Sequence, residues 1–266
     1  MRISIVQSSL HWENPEANRS MFAEKLATLR GNTDLVVLPE MFTTGFSMNA
    51  AALLAEPMDG PTMNWLSRIS KDLNAAVTGS FICVEAEKYF NRLIFMRPNG
   101  SFDFYDKKHL FTLTAEHENF IAGRKRVTVE WLGWHFCPMI CYDLRFPAWS
   151  RNSAGNFVSG LTPYYDVIIY VANWPGKRAH HWRSLLAARA IENQSFVVGT
   201  NIVGGDGNGF EYIGDSTVID YSGLALVQIP DGKEDIITVE LSLEDLYAYR
   251  KLLPFLADGD LFEFKG

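Results

Sequence analysis

The chain has few cysteines for its 266 residues, namely Cys83, Cys137 and Cys141. A sparse and odd number of cysteines is typical of a protein whose thiols stay reduced. Cys137 and Cys141 fall on one predicted strand, whose intervening stretch spans about 13 Å, whereas a disulfide needs Cα atoms within about 7 Å. We therefore expect no disulfide and no shared metal ion, and we expect Cys83 and Cys137 to lie in the core.

The chain also lacks long hydrophobic runs and an excess of positive charge. Its longest apolar stretches, such as residues 167–172, are far shorter than the roughly 20 residues of a membrane-spanning helix. Polar residues interrupt the first strand-like segment, which is unlike a signal peptide. The net charge is −7 and the pI is about 5.4, and an acidic surface repels nucleic acid. We expect a cytoplasmic protein that binds neither membranes nor nucleic acid.

What the chain does have is hydrophobic patterning of two kinds. Some segments alternate or run continuously apolar as strands do, and others repeat apolar residues at helical spacing. Hairpin turns are predicted at Asn99-Gly100, at Gly133 and at residues 221–223. The predicted strands are residues 2–7, 34–38, 75–84, 91–97, 101–106, 127–131, 134–140, 167–171 and 196–201. The predicted helices begin after Asn14, at Thr62, near Arg178 and at Ser242.

This arrangement predicts an α/β protein with mixed sheets. Strands outnumber helices and several pair as hairpins, so a purely parallel doubly wound sheet does not fit and a sandwich does. No linker, repeat or low-complexity segment divides the chain, which predicts a single domain over residues 1–266. The glycine-rich run at residues 204–209 is suggestive of a phosphate loop, but no helix follows it to bind an anion.

Three reactive side chains share one kind of position, because Glu40, Lys107 and Cys141 each follow the end of a predicted strand. Strand ends open onto a common crevice, where residues distant in sequence can meet. Taken singly, each has an ordinary interpretation: Cys141 as a small buried residue, and Glu40 and Lys107 as solvated charges. Their shared position favours the functional alternative.

The three side chains together are suited to attack on a carbonyl. A thiol with a pKa near ~8.5 needs a base to become a nucleophile, and a desolvated Glu40 beside a lysine can be that base. Lys107 can donate to the oxygen that becomes negative, which is typically worth ~3 to 4 kcal/mol. The alternative is a cysteine-histidine pair. The candidate bases for it are His109, His117, His135, His180 and His181.

Three motifs carry a resemblance to a known family. They are residues 38–42 (LPEMF), 105–111 (YDKKHLF) and 140–147 (ICYDLRFP), in that order. With these motifs the chain resembles the nitrilase superfamily of carbon-nitrogen hydrolases. The resemblance implies a four-layer αββα sandwich that often dimerises, and it implies no metal and no organic cofactor. We expect a homodimer or a higher homo-oligomer.

The resemblance also implies roles for individual residues. Glu40 is the general base, Lys107 stabilises the tetrahedral intermediate, and Cys141 attacks. Lys107 is preferred to Lys108 because the family's lysine stands two residues before the histidine. A second family glutamate precedes a glycine by seven positions, which corresponds to Glu116 before Gly123 rather than to Glu118.

The substrate expectation rests on the same resemblance. The CYDLRFP motif is most similar to the branch that contains the ω-amidases, which release ammonia from the terminal amide of small dicarboxylate monoamides such as α-ketoglutaramate and α-ketosuccinamate. The substrate carboxylate then needs a cation. The candidate cations are Arg145, Lys177 and Arg178, although Arg145 has an equal interpretation as an ion pair of Asp143. The candidate pocket residues are Phe42, Phe46, Phe111, Tyr142, Asn173 and Trp174.

Two other functions remain open. One is a different hydrolase of the same family, acting on N-carbamoyl amino acids, aliphatic amides or nitriles. The other is a binding protein that keeps the fold without catalysis, against which the intact Glu40, Lys107 and Cys141 argue.

Overall fold

The computed structural model describes residues 1–153 and 165–260 of the chain. The strands are β1 (Arg2–Gln7), β2 (Leu35–Val37), β3 (Ala76–Glu85), β4 (Lys88–Met96), β5 (Phe102–Asp106), β6 (Val129–Trp131), β7 (Trp134–Ile140), β8 (Val167–Val171), β9 (Phe196–Thr200), β10 (Val203–Gly205), β11 (Glu211–Ile213), β12 (Thr217–Ile219), β13 (Ala225–Gln228) and β14 (Asp235–Glu240). The helices are α1 (Pro15–Leu26), α2 (Ala51–Leu54), α3 (Pro61–Leu73), α4 (Glu116–Asn119), α5 (Pro147–Ser150), α6 (Ala179–Asn193) and α7 (Leu243–Leu252). Short 3₁₀ turns include Cys141–Arg145 and Gly176–Arg178.

The strands form two mixed sheets and a separate hairpin. The strand order is β14-β1-β2-β3-β4-β5 in the first sheet and β13-β12-β9-β8-β7-β6 in the second. Strands β1 to β3 are parallel, as are β7 to β9, and the remaining pairs are antiparallel. Because two antiparallel steps separate β5 from β3, β5 runs in the same direction as β2. The carboxyl ends of β2 and β5 therefore lie on the same side of the sheet, where the strands end.

The two sheets pack face to face with helices outside them. One core cluster joins side chains of both sheets, and the rings of Phe95 and Phe136 meet across it at 5.4 Å. A second cluster lies between the outer face of the first sheet and helices α1 and α3. Helix α6 covers the second sheet with Trp182 and Leu186, both fully buried. The chain is thus a four-layer αββα sandwich, and the predicted fold is confirmed.

Local signals in the sequence account for several element boundaries. The Asn14 side chain accepts a hydrogen bond from the Ala17 N–H at 3.1 Å and caps α1, as Asn does at helix starts. The Ser242 hydroxyl caps α7 in the same way, accepting from Asp245 N–H. Both helix starts confirm the predictions made from these residues.

The strand pair β3 and β4 differs from the prediction. β4 begins at Lys88 rather than at residue 91, and it pairs with β3 as a long hairpin. The turn consists of Ala86 and Glu87, both with positive φ. Neither residue is a glycine or an asparagine, so the usual sequence signal for such a turn is absent. β14, at the edge of the first sheet, was also not predicted.

Over residues 1–153 and 165–260, no helix combines the length and the apolar character that a membrane span requires.

Gly123 fixes the backbone beside Lys107 by close contact, and this contact gives a stability prediction. A Cβ on Gly123 would lie 2.0 Å from the carbonyl oxygen of Asp106, and the Gly123 N–H donates to the Lys107 carbonyl at 2.8 Å. We expect Gly123→Ala to lower the free energy of unfolding by about 1–3 kcal/mol, the usual cost of overpacking.

Urea unfolding followed by circular dichroism measures this change. Gly205→Ala is the matched control, because its Cβ would meet only the side-chain oxygen of Glu211, at 3.0 Å. Equal unfolding midpoints for Gly123→Ala and the unmodified chain would refute the close-contact argument.

Candidate active site

A sharp turn after β2 presents Glu40 and buries its neighbours. Met41 adopts a φ of 43°, and its N–H donates to the Ser80 hydroxyl on β3 at 2.9 Å. The next residue, Phe42, donates its N–H to the Ser80 carbonyl at 3.0 Å. The turn is therefore fastened to β3, and the Glu40 side chain is directed between the two sheets.

Lys107 and Cys141 are positioned at the ends of β5 and β7. The Lys107 N–H donates to the Asn91 carbonyl on β4 at 3.0 Å. Cys141 has a φ of 43° and begins the 3₁₀ turn that ends at Arg145. A cysteine in this conformation is strained, and such strain is found at functional sites. The turn points the thiol away from the strand.

Lys107 lies between two carboxylates in a fully buried cluster. Its Nζ is 3.0 Å from Glu40 Oε1, and it is 3.0 and 2.9 Å from the two oxygens of Glu116. All three side chains have 0% exposure. Asn91, which the sequence did not single out, donates its Nδ2 to Glu40 Oε1 at 2.8 Å. The cluster therefore consists of one cation, two anions and an amide.

Each carboxylate also accepts a hydrogen bond from a backbone N–H group. The Asn173 N–H donates to Glu40 Oε2 at 2.8 Å, and the Asn173 side-chain amide donates to the Glu40 carbonyl at 2.7 Å. The Phe111 N–H donates to Glu116 Oε2 at 2.6 Å. These bonds fix both carboxylates, since buried charges are stable only when they are paired and hydrogen-bonded.

The pKa values of the cluster follow from burial and from the neighbouring charges. Burial alone would lower the pKa of Lys107, but Glu116 and Glu40 more than offset it, so this pKa lies above its ordinary value. Burial raises the pKa of the Glu116 carboxyl, and the Lys107 ammonium only partly opposes this shift. Lys107 therefore stays protonated at neutral pH.

The Cys141 thiol lies next to this cluster. One edge of Cys141 faces the pocket, yet burial and the adjacent Glu40 raise the pKa of the thiol well above its ordinary value, and Lys107 lowers it only in part. The thiol is therefore neutral at neutral pH, and it would need a base to act as a nucleophile. Glu40 is the carboxylate with the largest charge effect on the thiol, and the thiol itself lies 4.0 Å from the Asn173 carbonyl oxygen.

A second buried network holds the turn that carries Cys141. The carboxylate of Asp143 accepts hydrogen bonds from the Ile140 N–H at 3.1 Å, the His109 N–H at 3.0 Å and the Tyr105 hydroxyl at 2.7 Å. The Tyr105 hydroxyl in turn accepts from Trp149 Nε1 at 2.9 Å. Asp143 therefore ties the end of β7 to the segment that carries Lys107.

A pocket of about 440 Å³, its open mouth included, lies above the thiol. Five of the predicted substrate-binding residues line it: Phe111, Tyr142, Arg145, Asn173 and Trp174. Phe46, which was also considered, lines it too. The sequence missed four further lining residues, which are Thr114, Pro175, Phe210 and Tyr212.

Phe42 is not among the described lining residues, so its assignment to the pocket is wrong. Its side chain is fully buried and packs against Phe22 at 5.8 Å and Trp65 at 5.5 Å between ring centres. The turn at Met41 places Phe42 on the helix side of the sheet, whereas Phe46 returns to the pocket.

Several alternatives are resolved by position. Lys108 lies over the Trp149 ring at 5.3 Å rather than in the cluster, and Glu118 is exposed. Asp143 is occupied by the bonds described above, and it forms no ion pair with Arg145, which was the alternative interpretation of that residue. Lys177 is exposed and does not line the pocket.

The remaining candidates are also placed. No histidine lines the pocket among the described residues. Cys83 and Cys137 are buried in the core, as predicted. The described residues contain no group of three or more histidine, cysteine or acidic side chains able to hold a metal ion.

The glycine-rich run has a structural role at the pocket rim. Residues 204–209 connect β10 to β11, which pair as a hairpin, and β11 leads Phe210 and Tyr212 to the pocket. The Tyr212 hydroxyl donates to Asp206 Oδ2 at 2.8 Å. This hairpin therefore forms one wall of the site.

A two-sheet sandwich with Glu, Lys and Cys at its strand ends defines the class of protein. The chain belongs to the carbon-nitrogen hydrolase family, whose sequence profile matches residues 2–251. It is a hydrolase of carbon–nitrogen bonds.

Individual relatives are similar over nearly the whole chain. The ω-amidase YafV of Yersinia enterocolitica is 42% identical over 262 residues, with 98% of each chain covered. The 2-oxoglutaramate amidase of Bacillus subtilis is 31% identical, with 96% of each chain covered. The crystal structure of XC1258 from Xanthomonas campestris, a CN-hydrolase superfamily protein with an arsenic adduct in its active site, is 44% identical with a TM-score of 0.94, covering 99% of this chain and 98% of the other.

The raised thiol pKa values give a spectroscopic prediction. Burial also raises the pKa of Cys83 to about 11 and the pKa of Cys137 above its ordinary value. We expect the native protein to show no thiolate absorbance at 240 nm up to roughly pH 9, where an ordinary cysteine of pKa ~8.5 is mostly ionised.

The urea-unfolded protein is the control, since its thiols ionise normally. A thiolate signal near neutral pH that disappears in Cys141→Ala would contradict the neutral resting thiol.

Proposed function

We propose that the chain is an ω-amidase, which hydrolyses the terminal amide of small dicarboxylate monoamides such as α-ketoglutaramate and α-ketosuccinamate. The products are the 2-oxo acid and ammonia. The observation that carries the proposal is that Cys141 and Lys107 line the same pocket, while Glu40 binds Lys107 in the buried cluster behind it. The names of two relatives, an ω-amidase and a 2-oxoglutaramate amidase, support the choice of substrate.

The first half of the reaction forms a thioester. Glu40 takes the thiol proton as the sulfur of Cys141 attacks the amide carbon, so the carboxylate becomes a carboxylic acid. The oxygen of the tetrahedral intermediate is stabilised by the Lys107 ammonium and by the Tyr142 backbone N–H. Glu40 then gives its proton to the nitrogen, the carbon–nitrogen bond breaks, and ammonia leaves.

The second half releases the acid. Water attacks the thioester carbon while Glu40 removes its proton, the carbon–sulfur bond breaks, and the proton returns to the sulfur of Cys141. Lys107 serves both tetrahedral intermediates, since the negative oxygen forms at the same place. Glu116 acts on Lys107 rather than on water, because both of its oxygens accept from the Lys107 Nζ.

The pKa shifts and hydrogen bonds of the cluster support this division of roles. The thiol needs a base because its pKa is raised, and a carboxylate hydrogen-bonded to an amide and a backbone N–H is held for that transfer. Lys107 stays charged because its pKa is also raised. The protonated Lys107 is therefore held beside Glu40 at the pocket wall.

Ammonia release from a substrate panel tests the proposal. We expect kcat/KM for α-ketoglutaramate to exceed that for an N-carbamoyl amino acid, a neutral aliphatic amide and an aliphatic nitrile. Cys141→Ala should lower the rate by at least about 1,000-fold, the scale seen for loss of a catalytic nucleophile, with an unchanged melting temperature. Turnover of the carbamoyl compound without turnover of α-ketoglutaramate would contradict the assignment.

A further inference from the structure

The charges that line the pocket are unbalanced. Three cations, Lys107, Arg145 and Arg178, are among its described lining residues. No aspartate or glutamate is among those lining residues. The single charge of Lys107 is more than offset by Glu40 and Glu116 behind the pocket wall. The two arginines therefore form a positive region in a chain whose net charge is −7.

The two arginines differ in how their guanidinium groups are used. The Arg145 guanidinium stacks over the Trp174 ring at 4.7 Å, and its Nη2 donates to His181 Nδ1 at 3.2 Å. The Arg178 guanidinium lies over the Phe111 ring at 5.5 Å. Among the described residues it forms neither an ion pair nor a side-chain hydrogen bond, so its donors are available to a ligand.

The backbone of Arg178 is nevertheless held firmly. Its N–H donates to the Pro175 carbonyl at 2.9 Å, and its carbonyl accepts from Trp174 Nε1 at 2.9 Å. Gly176, in the same 3₁₀ turn, allows this segment to approach β11: a Cβ there would lie 2.9 Å from Ile213. The turn thus presents a half-buried guanidinium at a defined place on the rim.

A planar guanidinium with unused donors is suited to a carboxylate. It can give two parallel hydrogen bonds to both carboxylate oxygens, which an ammonium cannot do. The aromatic face beneath it lowers the exposure to water, and this strengthens the interaction with an anion.

We propose that Arg178 binds the substrate carboxylate remote from the scissile amide and so selects anionic amides over neutral ones. This inference rests on the proposed ω-amidase function. Arg145 is constrained by Trp174 and His181 and adds to the positive potential. Lys177 takes no part, because it is exposed and outside the pocket.

Paired substrates and matched variants test Arg178. Glutaramate and pentanamide differ in that a methyl group replaces the carboxylate, so their ratio of kcat/KM reports on the charge alone. For Arg178→Gln we expect kcat/KM for glutaramate to fall about 10- to 100-fold, the range of a charge-assisted hydrogen bond, through KM. The value for pentanamide should change less than about 3-fold.

Two further variants separate binding from folding. Lys177→Gln removes the same charge one residue away and should leave both substrates unaffected. Arg178→Lys keeps the charge without the planar fork and should lose less than Arg178→Gln on glutaramate. Competitive inhibition by glutarate, which has no amide, should weaken in Arg178→Gln by a similar factor.

Three results would overturn the inference. An equal loss on both substrates would make Arg178 a wall residue that only shapes the pocket. If Lys177→Gln lowered kcat/KM for glutaramate as much as Arg178→Gln does, the effect of Arg178 would be one of general surface charge. If the unmodified enzyme itself showed no preference for glutaramate over pentanamide, the proposed substrate class would fail, and the role of Arg178 with it.

Discussion

The active site depends on the Lys107 ammonium held between two carboxylates without contact with water. Transfer of each of these ions out of water costs several kcal/mol, and their mutual attraction offsets this cost only with good geometry and further hydrogen bonds. The cluster meets both conditions, since Lys107 is within 3.0 Å of Glu40 and Glu116 and each carboxylate also accepts from a backbone N–H group. Removal of Lys107 would leave two buried carboxylates without their cation, so the three side chains stay in one arrangement.

The rest of the fold brings these groups together from distant parts of the chain. Glu40 follows β2, Lys107 follows β5 and Cys141 follows β7 on the facing sheet. Asp143 connects the two sheets at this end, because it binds the Ile140 N–H of one and the Tyr105 hydroxyl of the other. Asn173, at the end of β8, closes the site by binding Glu40 through both its backbone and its side chain. The geometry of the thiol and its base is thus a property of the whole sandwich.

The sequence identified three side chains that the fold brings to one place, but not all of the residues that hold them there. Glu40, Lys107 and Cys141 were predictable because strand ends share an edge and because they lie in family motifs. Asn91 was not, because it lies inside β4, where nothing in the local pattern distinguishes it from other strand residues. The sequence did not distinguish Phe42 from Phe46 as pocket residues. In the structure, the turn at Met41, which has a positive φ, places Phe42 on the helix side of the sheet and lets Phe46 line the pocket.

Charge in the pocket was likewise only partly predictable. Arg145, Lys177 and Arg178 were equivalent in sequence, since a basic residue near a motif does not indicate its neighbours. The packing of Asp143 removed the expected partner of Arg145, and the 3₁₀ turn at Gly176–Arg178 turned Arg178 toward the pocket and Lys177 toward solvent.

The most direct test of the account is mass spectrometry of the enzyme quenched by acid during turnover of α-ketoglutaramate. The account predicts an added mass equal to the substrate minus ammonia, located on the peptide that contains Cys141. In Glu40→Gln the same adduct should form far more slowly, because the base is missing. An adduct on another residue, or equal rates of adduct formation in both proteins, would contradict the role given to the buried cluster.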